Sequence, residues 1–102
     1  SNDLGFDEVF AFPVRLLSNP GDVLWALSAS GESNNILRAA LAAEKNRCIA
    51  ITLSGFKPDN VLRQRGDLCF WVPSSTYGVV ETAHMAICHA VLDAYMKREG
   101  GA

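Results

Sequence analysis

Three short apolar segments, separated by segments with helical patterns, constrain the fold of this chain more than any other feature. They span residues 23–28, 48–53 and 68–72. The middle one is a continuous apolar run, which is typical of a strand covered on both faces. Helical patterns occupy residues 6–17, 33–45 and 79–98. Strands that alternate with helices predict an α/β fold, in which a parallel sheet with right-handed crossovers is flanked by helices.

Local signals refine the helices. Asp7 and Glu8 are predicted in the first turn of the first helix, which Pro13 should kink or shorten. A short helix should follow Pro58 and stop near Gly66. In the last helix, apolar residues at helical spacing predict a buried stripe. They are Val80, Ala83, Ile87, Ala90, Val91 and Ala94.

Bulk properties exclude several classes of function. The chain has 102 residues, 49% of them hydrophobic, which suits one domain with a modest core. Its net charge of −2 and its scattered basic residues argue against nucleic-acid binding. No segment approaches the roughly 18 apolar residues of a membrane span, so the cytoplasm is the expected compartment. Cys48, Cys69 and Cys88 lie in apolar segments and are predicted to be reduced core thiols.

Three parallel strands make a thin domain. Strands this apolar should not lie at an exposed edge without a covering neighbour. We therefore expect either further strands upstream in a longer protein or a partner chain that completes the sheet.

A polar segment joins the first strand to the helix after it. We name residues 28–33, Ser-Ala-Ser-Gly-Glu-Ser, the serine loop. Hydroxyls, a glycine and unpaired backbone N–H groups at a helix start can bind a phosphate, and ligands of such sheets bind beyond the carboxyl ends of the strands. Serine at a helix cap and glycine in a turn also occur without any ligand, so this segment alone leaves both interpretations open.

Several segments together resemble the sugar isomerase (SIS) domain, and within it the phosphoheptose isomerase group. They are residues 2–7, Val9 with Phe10, residues 20–24, the serine loop, residues 51–55, and Val72-Pro73 before a helix with His84 and His89. The resemblance implies a flavodoxin-like SIS fold, with residues 1–102 a single partial domain that lacks its N-terminal half. It implies a sedoheptulose 7-phosphate isomerase that forms dimers or tetramers.

The resemblance also implies site residues. Ser28, Ser30 and Ser33 would bind the substrate phosphate, Asp3 would lie near the sugar hydroxyls, and Glu81 with His89 would lie at the reaction centre. Asp3 has an alternative role as the N-cap of the first helix.

The upstream half of such domains carries a catalytic Glu and a metal-binding His, so we expect the isolated chain to be inactive. Four departures from the family pattern concern the sugar side of the pocket: Ala29 replaces a Thr, Glu81 a Gln and Gly78 an Asp, and the loop after Pro73 is one residue shorter. They leave open a non-catalytic, phosphosugar-binding or scaffold module as the alternative.

The reaction centre can be assessed from its chemistry. Isomerisation through an enediol needs a base near neutral pKa, which His89 can provide, while Glu81 can orient a histidine, act as a second acid or base, or bind a metal such as zinc. On a helix Glu81 and His89 are about 12 Å apart along the axis and about 80° apart around it, so they cannot easily share one ion. Any metal site must draw on residues outside this chain. His84 is predicted at the helix surface or an interface, Tyr77 at the pocket mouth or in packing, and Trp25 and Trp71 in core or subunit contacts.

Overall fold

The computed structural model describes residues 7–100, and its elements alternate as the sequence predicts. They are helix α1 (Ala11–Leu17), strand β1 (Val23–Leu27), helix α2 (Asn34–Lys45), strand β2 (Ile49–Ser54), a 3-10 turn (Leu62–Gln64), strand β3 (Leu68–Trp71) and helix α3 (Tyr77–Arg98). In this part of the chain no helix is long and apolar enough to cross a membrane.

The three strands form one sheet in the order β1-β2-β3, and both pairs are parallel. The predicted α/β class with a parallel sheet is therefore confirmed. Because parallel strands end at the same edge, the serine loop after β1 and Gly55 after β2 come together there. A Cβ on Gly55 would lie 2.9 Å from the carbonyl oxygen of Ala29 and 2.7 Å from Val80 of α3. This close approach brings the serine loop, the end of β2 and the start of α3 together.

One face of the sheet is covered by α2. Ala26 packs with Ala40 of that helix and Leu62 of the 3-10 turn, and Leu24 lies at the border of this core. The buried side of α2 is made of alanines: Ala39, Ala40, Ala42 and Ala43. Small side chains let the helix approach the sheet closely, which explains an alanine-rich segment at this point in the sequence.

The other face is apolar but only partly covered. Side chains alternate along a strand, so Val23, Ile49 and Leu68, the first residues of the three strands, face away from α2 together with Leu53. Leu53 is fully buried, whereas Val23, Ile49 and Leu68 are 51%, 46% and 51% exposed. Helix α3 thus covers the carboxyl end of this face and leaves the other end open, as expected of a sheet that lacks a neighbour.

The predicted buried stripe on α3 is correct only in its first half. Val80 is fully buried, and Ala83 and Ile87 are half-buried. Ala90, Val91 and Ala94 are exposed, because little of the described chain packs against that end of the helix. Exposed apolar residues of this kind are suited to packing against protein surface other than residues 7–100.

Within the described residues the helix predicted over residues 6–17 is interrupted: Asp7 is helical, residues 8–10 form a turn, and α1 follows. It begins at Ala11, so Pro13 lies in its first turn, where a missing N–H costs nothing. Asp7 and Glu8 are not in that turn. Glu8 instead accepts from Arg15 at 2.6 Å and from Arg38 of α2 at 3.1 Å. Hydrogen bonding to Arg15, and then to Arg38, holds the pKa of the Glu8 carboxyl below its ordinary value.

The cysteines are free, but the prediction of core thiols is wrong. Cys48 and Cys88 are only half-buried and Cys69 is exposed. Cys69 lies on the outer strand β3, whose uncovered position the apolar run alone did not indicate.

Candidate functional site

The serine loop lies at the carboxyl end of β1 and leads into the first turn of α2. Ser28 is 7% exposed, Ser30 is half-buried and Ser33 is exposed. The loop is therefore anchored at its first residue and open to solvent at its last.

The three hydroxyl groups are held by the loop itself. The Oγ atoms of Ser28 and Ser33 lie 3.0 Å apart, within hydrogen-bond distance. The Ser28 Oγ also accepts from the N–H of Gly31 at 3.1 Å, and the Ser30 Oγ accepts from the N–H of Glu32 at 3.1 Å. Ser28 and Ser33 thus share a bond that brings their hydroxyls together at the helix start.

Several backbone donors in the loop have no partner. Ser33 is the N-cap residue of α2, but its side chain makes no capping hydrogen bond. Within residues 7–100, the N–H groups of Ser30, Ser33, Asn34 and Asn35 have no protein acceptor. Free N–H groups at a helix start, with the dipole behind them, suit a bound anion.

The turn of the loop requires glycine. Gly31 has a φ of +72°, and a Cβ there would lie 2.0 Å from the Oδ1 of Asn60. Two further bonds join the loop to the segment after Asn60. The N–H of Leu62 donates to the Gly31 carbonyl at 3.0 Å, and the N–H of Val61 donates to the Glu32 carboxylate at 3.2 Å.

His84 joins α3 to the same region. It is 3% exposed, and its Nε2 lies 2.9 Å from the carbonyl oxygen of Ser54 at the end of β2. Because a carbonyl only accepts, Nε2 carries the proton in this bond. The prediction of a surface or interface residue is wrong. The Ser54 carbonyl also accepts from the N–H of Val72 at 3.0 Å, so His84 is the second donor to a carbonyl oxygen that has two lone pairs.

The structure does not bring Glu81 and His89 together. Both are exposed on α3, two turns apart, and neither side chain has a hydrogen-bond or ion-pair partner within residues 7–100. That part of the chain also holds no group of three His, Cys, Asp or Glu side chains able to bind a metal. The described residues therefore do not fit a zinc site by themselves. Asp3 lies outside the described residues.

Tyr77, Trp25 and Trp71 each lie in a different environment. Tyr77 is 60% exposed and packs edge-on against Phe56, with ring centroids 4.8 Å apart. Trp25 is half-buried and faces α3 across a cleft of about 350 Å³ lined by Cys88, Val91, Leu92 and Tyr95. Trp71 is half-buried, and the Arg63 guanidinium carbon lies over its indole, 4.4 Å from the centroid of the Trp71 ring.

Asn60 is the residue of this site that sequence reasoning missed. The sequence places it only beside the short helix predicted after Pro58. It is fully buried, although asparagine seldom is. Its turn-like context Pro-Asp-Asn gave no indication that its side chain would reach the serine loop.

No protein-family model matches the chain. It is 38% identical over 96 residues to the phosphoheptose isomerase of Thiobacillus denitrificans, covering 92% of this chain and 49% of that protein. A solved phosphoheptose isomerase structure from Francisella tularensis superposes with a TM-score of 0.82 at 32% identity, over 90% of this chain and 49% of that one. The corresponding structure from Neisseria gonorrhoeae gives a TM-score of 0.83 at 34% identity, over 91% and 52%.

These comparisons confirm the predicted resemblance, and the chain spans about half the length of the relatives it matches. The sequence comparison and the structural superpositions cover the same region, since each includes about nine-tenths of this chain. This chain is therefore a homologue of the phosphoheptose isomerases, related to about half the length of each.

Proposed function

We propose that the serine loop binds the phosphate of a sugar phosphate, and that the chain is the phosphate-binding part of a sedoheptulose 7-phosphate isomerase. The observation that carries this proposal is the loop itself. Three serine hydroxyls and unpaired N–H groups meet at a helix start, at the carboxyl end of a parallel sheet. The names of its relatives supply a phosphorylated heptose as the substrate class, and the family resemblance implies sedoheptulose 7-phosphate.

The proposed reaction moves a proton between neighbouring carbons through an enediol. His89 is the proposed base, and Glu81, one turn after Tyr77 on the same helix, is the proposed second acid or base. Both are exposed, so neither is yet in the enclosed surroundings that catalysis requires. We therefore propose that turnover needs the half of a phosphoheptose isomerase that this chain does not match, including any ligands for zinc.

Phosphate binding is tested with Ser33→Ala. Ser33 is exposed and makes no capping bond, so its removal loses only the bond to the Ser28 hydroxyl and should lower the free energy of unfolding by no more than about 1 kcal/mol. A lost hydrogen bond to a charged ligand should weaken the binding of sedoheptulose 7-phosphate, measured by calorimetry, by roughly tenfold or more. Ser75→Ala is the matched control, because Ser75 is exposed and lies outside the serine loop. Equal affinities of the two variants would contradict the proposal.

Activity is tested separately. We expect no conversion of sedoheptulose 7-phosphate by the purified 102-residue chain, and turnover by that chain would contradict the need for a second half. Joined to the unmatched half of the Neisseria gonorrhoeae relative, the chain should support turnover, and His89→Ala should abolish it. Binding that persists while the joined protein stays inactive would favour the non-catalytic module instead.

We also propose that the chain forms a homo-oligomer, a dimer or tetramer, in the cytoplasm. Support comes from apolar residues that remain uncovered on α3, including Met85, Leu92 and Tyr95, which are 59%, 53% and 59% exposed. Patches of this kind mark association surfaces. Light scattering should give a mass above 11.0 kDa, and a monomer of that mass would contradict the proposal.

A further inference from the structure

We propose that Asn60 is a positioning residue, which fixes the conformation of the serine loop and thereby prepares its hydroxyls for an anion. The proposal deepens the phosphate-binding function and rests on it for its affinity readout. Its structural part concerns the ligand-free chain and is measured independently.

Asn60 itself is held rigidly. Its side chain is fully buried, and Nδ2 lies within hydrogen-bond distance of the Ser54 Oγ at 3.1 Å, the Gly55 carbonyl at 3.0 Å and the Lys57 carbonyl at 3.0 Å. Its Oδ1 accepts from the N–H of Arg63 at 2.8 Å. Both ends of the amide are thus engaged, so the side chain cannot rotate without leaving buried polar groups unpaired.

The fixed Asn60 amide packs directly against the turn of the serine loop at Gly31. The position of a Cβ on Gly31 would fall 2.0 Å from Oδ1 and 2.3 Å from Cγ of Asn60. The backbone at Gly31 therefore lies against the amide, in a left-handed conformation with a φ of +72°. Movement of the turn toward Asn60 is excluded by contact.

The position of Gly31 determines that of the first hydroxyl. The Gly31 N–H donates both to the Ser28 carbonyl at 3.0 Å and to the Ser28 Oγ at 3.1 Å. The same Oγ lies 3.0 Å from the Ser33 Oγ. A continuous series of contacts therefore runs from Asn60 through Gly31 to the two hydroxyls at the helix start.

The segment after Asn60 holds the other side of the turn. Leu62 and Val61 donate to the Gly31 carbonyl and to the Glu32 carboxylate. Glu32 carries the loop's only negative charge, which would repel a phosphate if its position were unrestrained. The bond from the Val61 N–H holds the Glu32 carboxylate against the segment that follows Asn60, and Asn60 in turn holds that segment through its bond from the Arg63 N–H.

The test compares Asn60→Ala with Asn46→Ala in the full chain. Asn46 is a matched control, because its Nδ2 also lies within hydrogen-bond distance of several oxygens, the carbonyls of Val14, Arg15 and Ser18 and the Ser18 Oγ, none of which belongs to the serine loop. Both variants should lower the free energy of unfolding. Only Asn60→Ala should weaken sedoheptulose 7-phosphate and inorganic phosphate binding, by about tenfold or more, while Asn46→Ala stays within about twofold.

Amide hydrogen exchange of the ligand-free chain gives the second readout. Relative to the Leu53 amide in β2, the amides of Gly31 and Glu32 should exchange faster in Asn60→Ala than in Asn46→Ala. Equal relative exchange, or equal phosphate affinity, in the two variants overturns the positioning role. If the wild-type chain binds neither ligand, the phosphate proposal fails, and exchange still decides whether Asn60 fixes the loop. Should Asn60→Ala not fold, Asn60→Asp, which keeps the shape and loses the donors, takes its place.

Discussion

Replacing Gly31 by alanine tests the contact between the serine loop and Asn60 most directly. The left-handed backbone costs an alanine about 1–2 kcal/mol, of which a few tenths to about 1 kcal/mol is recovered through the less flexible unfolded chain. The new Cβ would lie 2.0 Å from the Oδ1 of Asn60, and forced overpacking of this kind costs typically about 1–3 kcal/mol more. We expect a total destabilisation of roughly 2–4 kcal/mol.

Gly21→Ala isolates the backbone cost. Gly21 has a φ of +90°, and a Cβ there would meet nothing within 4 Å. Urea unfolding should therefore show a loss of only about 1 kcal/mol for this variant. The difference between Gly31→Ala and Gly21→Ala measures the steric cost, and if the two variants lose the same free energy, the contact with Asn60 is not as described.

A double substitution sharpens the same experiment. Asn60→Ala removes the Oδ1 and Cγ atoms that a Gly31 side chain would meet first, and leaves the Cβ at 2.9 Å. Gly31→Ala should therefore cost less in the Asn60→Ala background than in the wild type, by about 1–3 kcal/mol. Additive losses would refute the steric argument.

Three further outcomes are expected. His84→Ala should destabilise the chain by about 2 kcal/mol or more in urea unfolding, since it removes one of the two donors to the Ser54 carbonyl and leaves a cavity where a buried side chain was, whereas exposed His89→Ala should change stability by less than about 0.5 kcal/mol. Glu8→Gln should reduce stability at pH 7, because the bonds to Arg15 and Arg38 that depress the Glu8 pKa stabilise the folded chain only while the carboxyl group is ionised. The difference in stability between the variant and the wild type should therefore disappear as the pH falls from about 4.5 through the depressed pKa. A difference that persists unchanged at pH 2 would contradict this. Labelling with a thiol reagent should modify exposed Cys69 in the folded chain first; a faster reaction at another cysteine would contradict its assigned exposure.

The order and type of the elements could be predicted because local patterns determine them. The apolar run that forms β2 and the alanine-rich segment that forms α2 each contain their own signal, and their alternation determines the parallel sheet. The stripe on α3 shows the limit. Val80 and Val91 have the same helical periodicity, yet one is fully buried and the other 40% exposed, since burial depends on what lies opposite.

The candidate site was predictable only where its residues are contiguous. The serine loop was found because its hydroxyls and glycine are neighbours in sequence, at a junction between strand and helix. Asn60 and His84 lie 29 and 53 residues after Gly31, and their partners are backbone carbonyls, which no sequence pattern marks. Glu81 and His89 came from resemblance alone, and the described chain gives them no partner.

The uncapped start of α2 has a consequence for engineering this chain. A Ser33 hydroxyl that bonded the helix backbone would typically add about 1 kcal/mol of stability, but it lies against Ser28 instead. Selection for thermal tolerance alone would favour Ser33→Asp, a cap whose negative charge the helix dipole also stabilises and whose carboxylate would compete with an incoming anion for the same donors. Durability and ligand recognition thus make opposite demands on a single position, and a screen for heat resistance would select against recognition there.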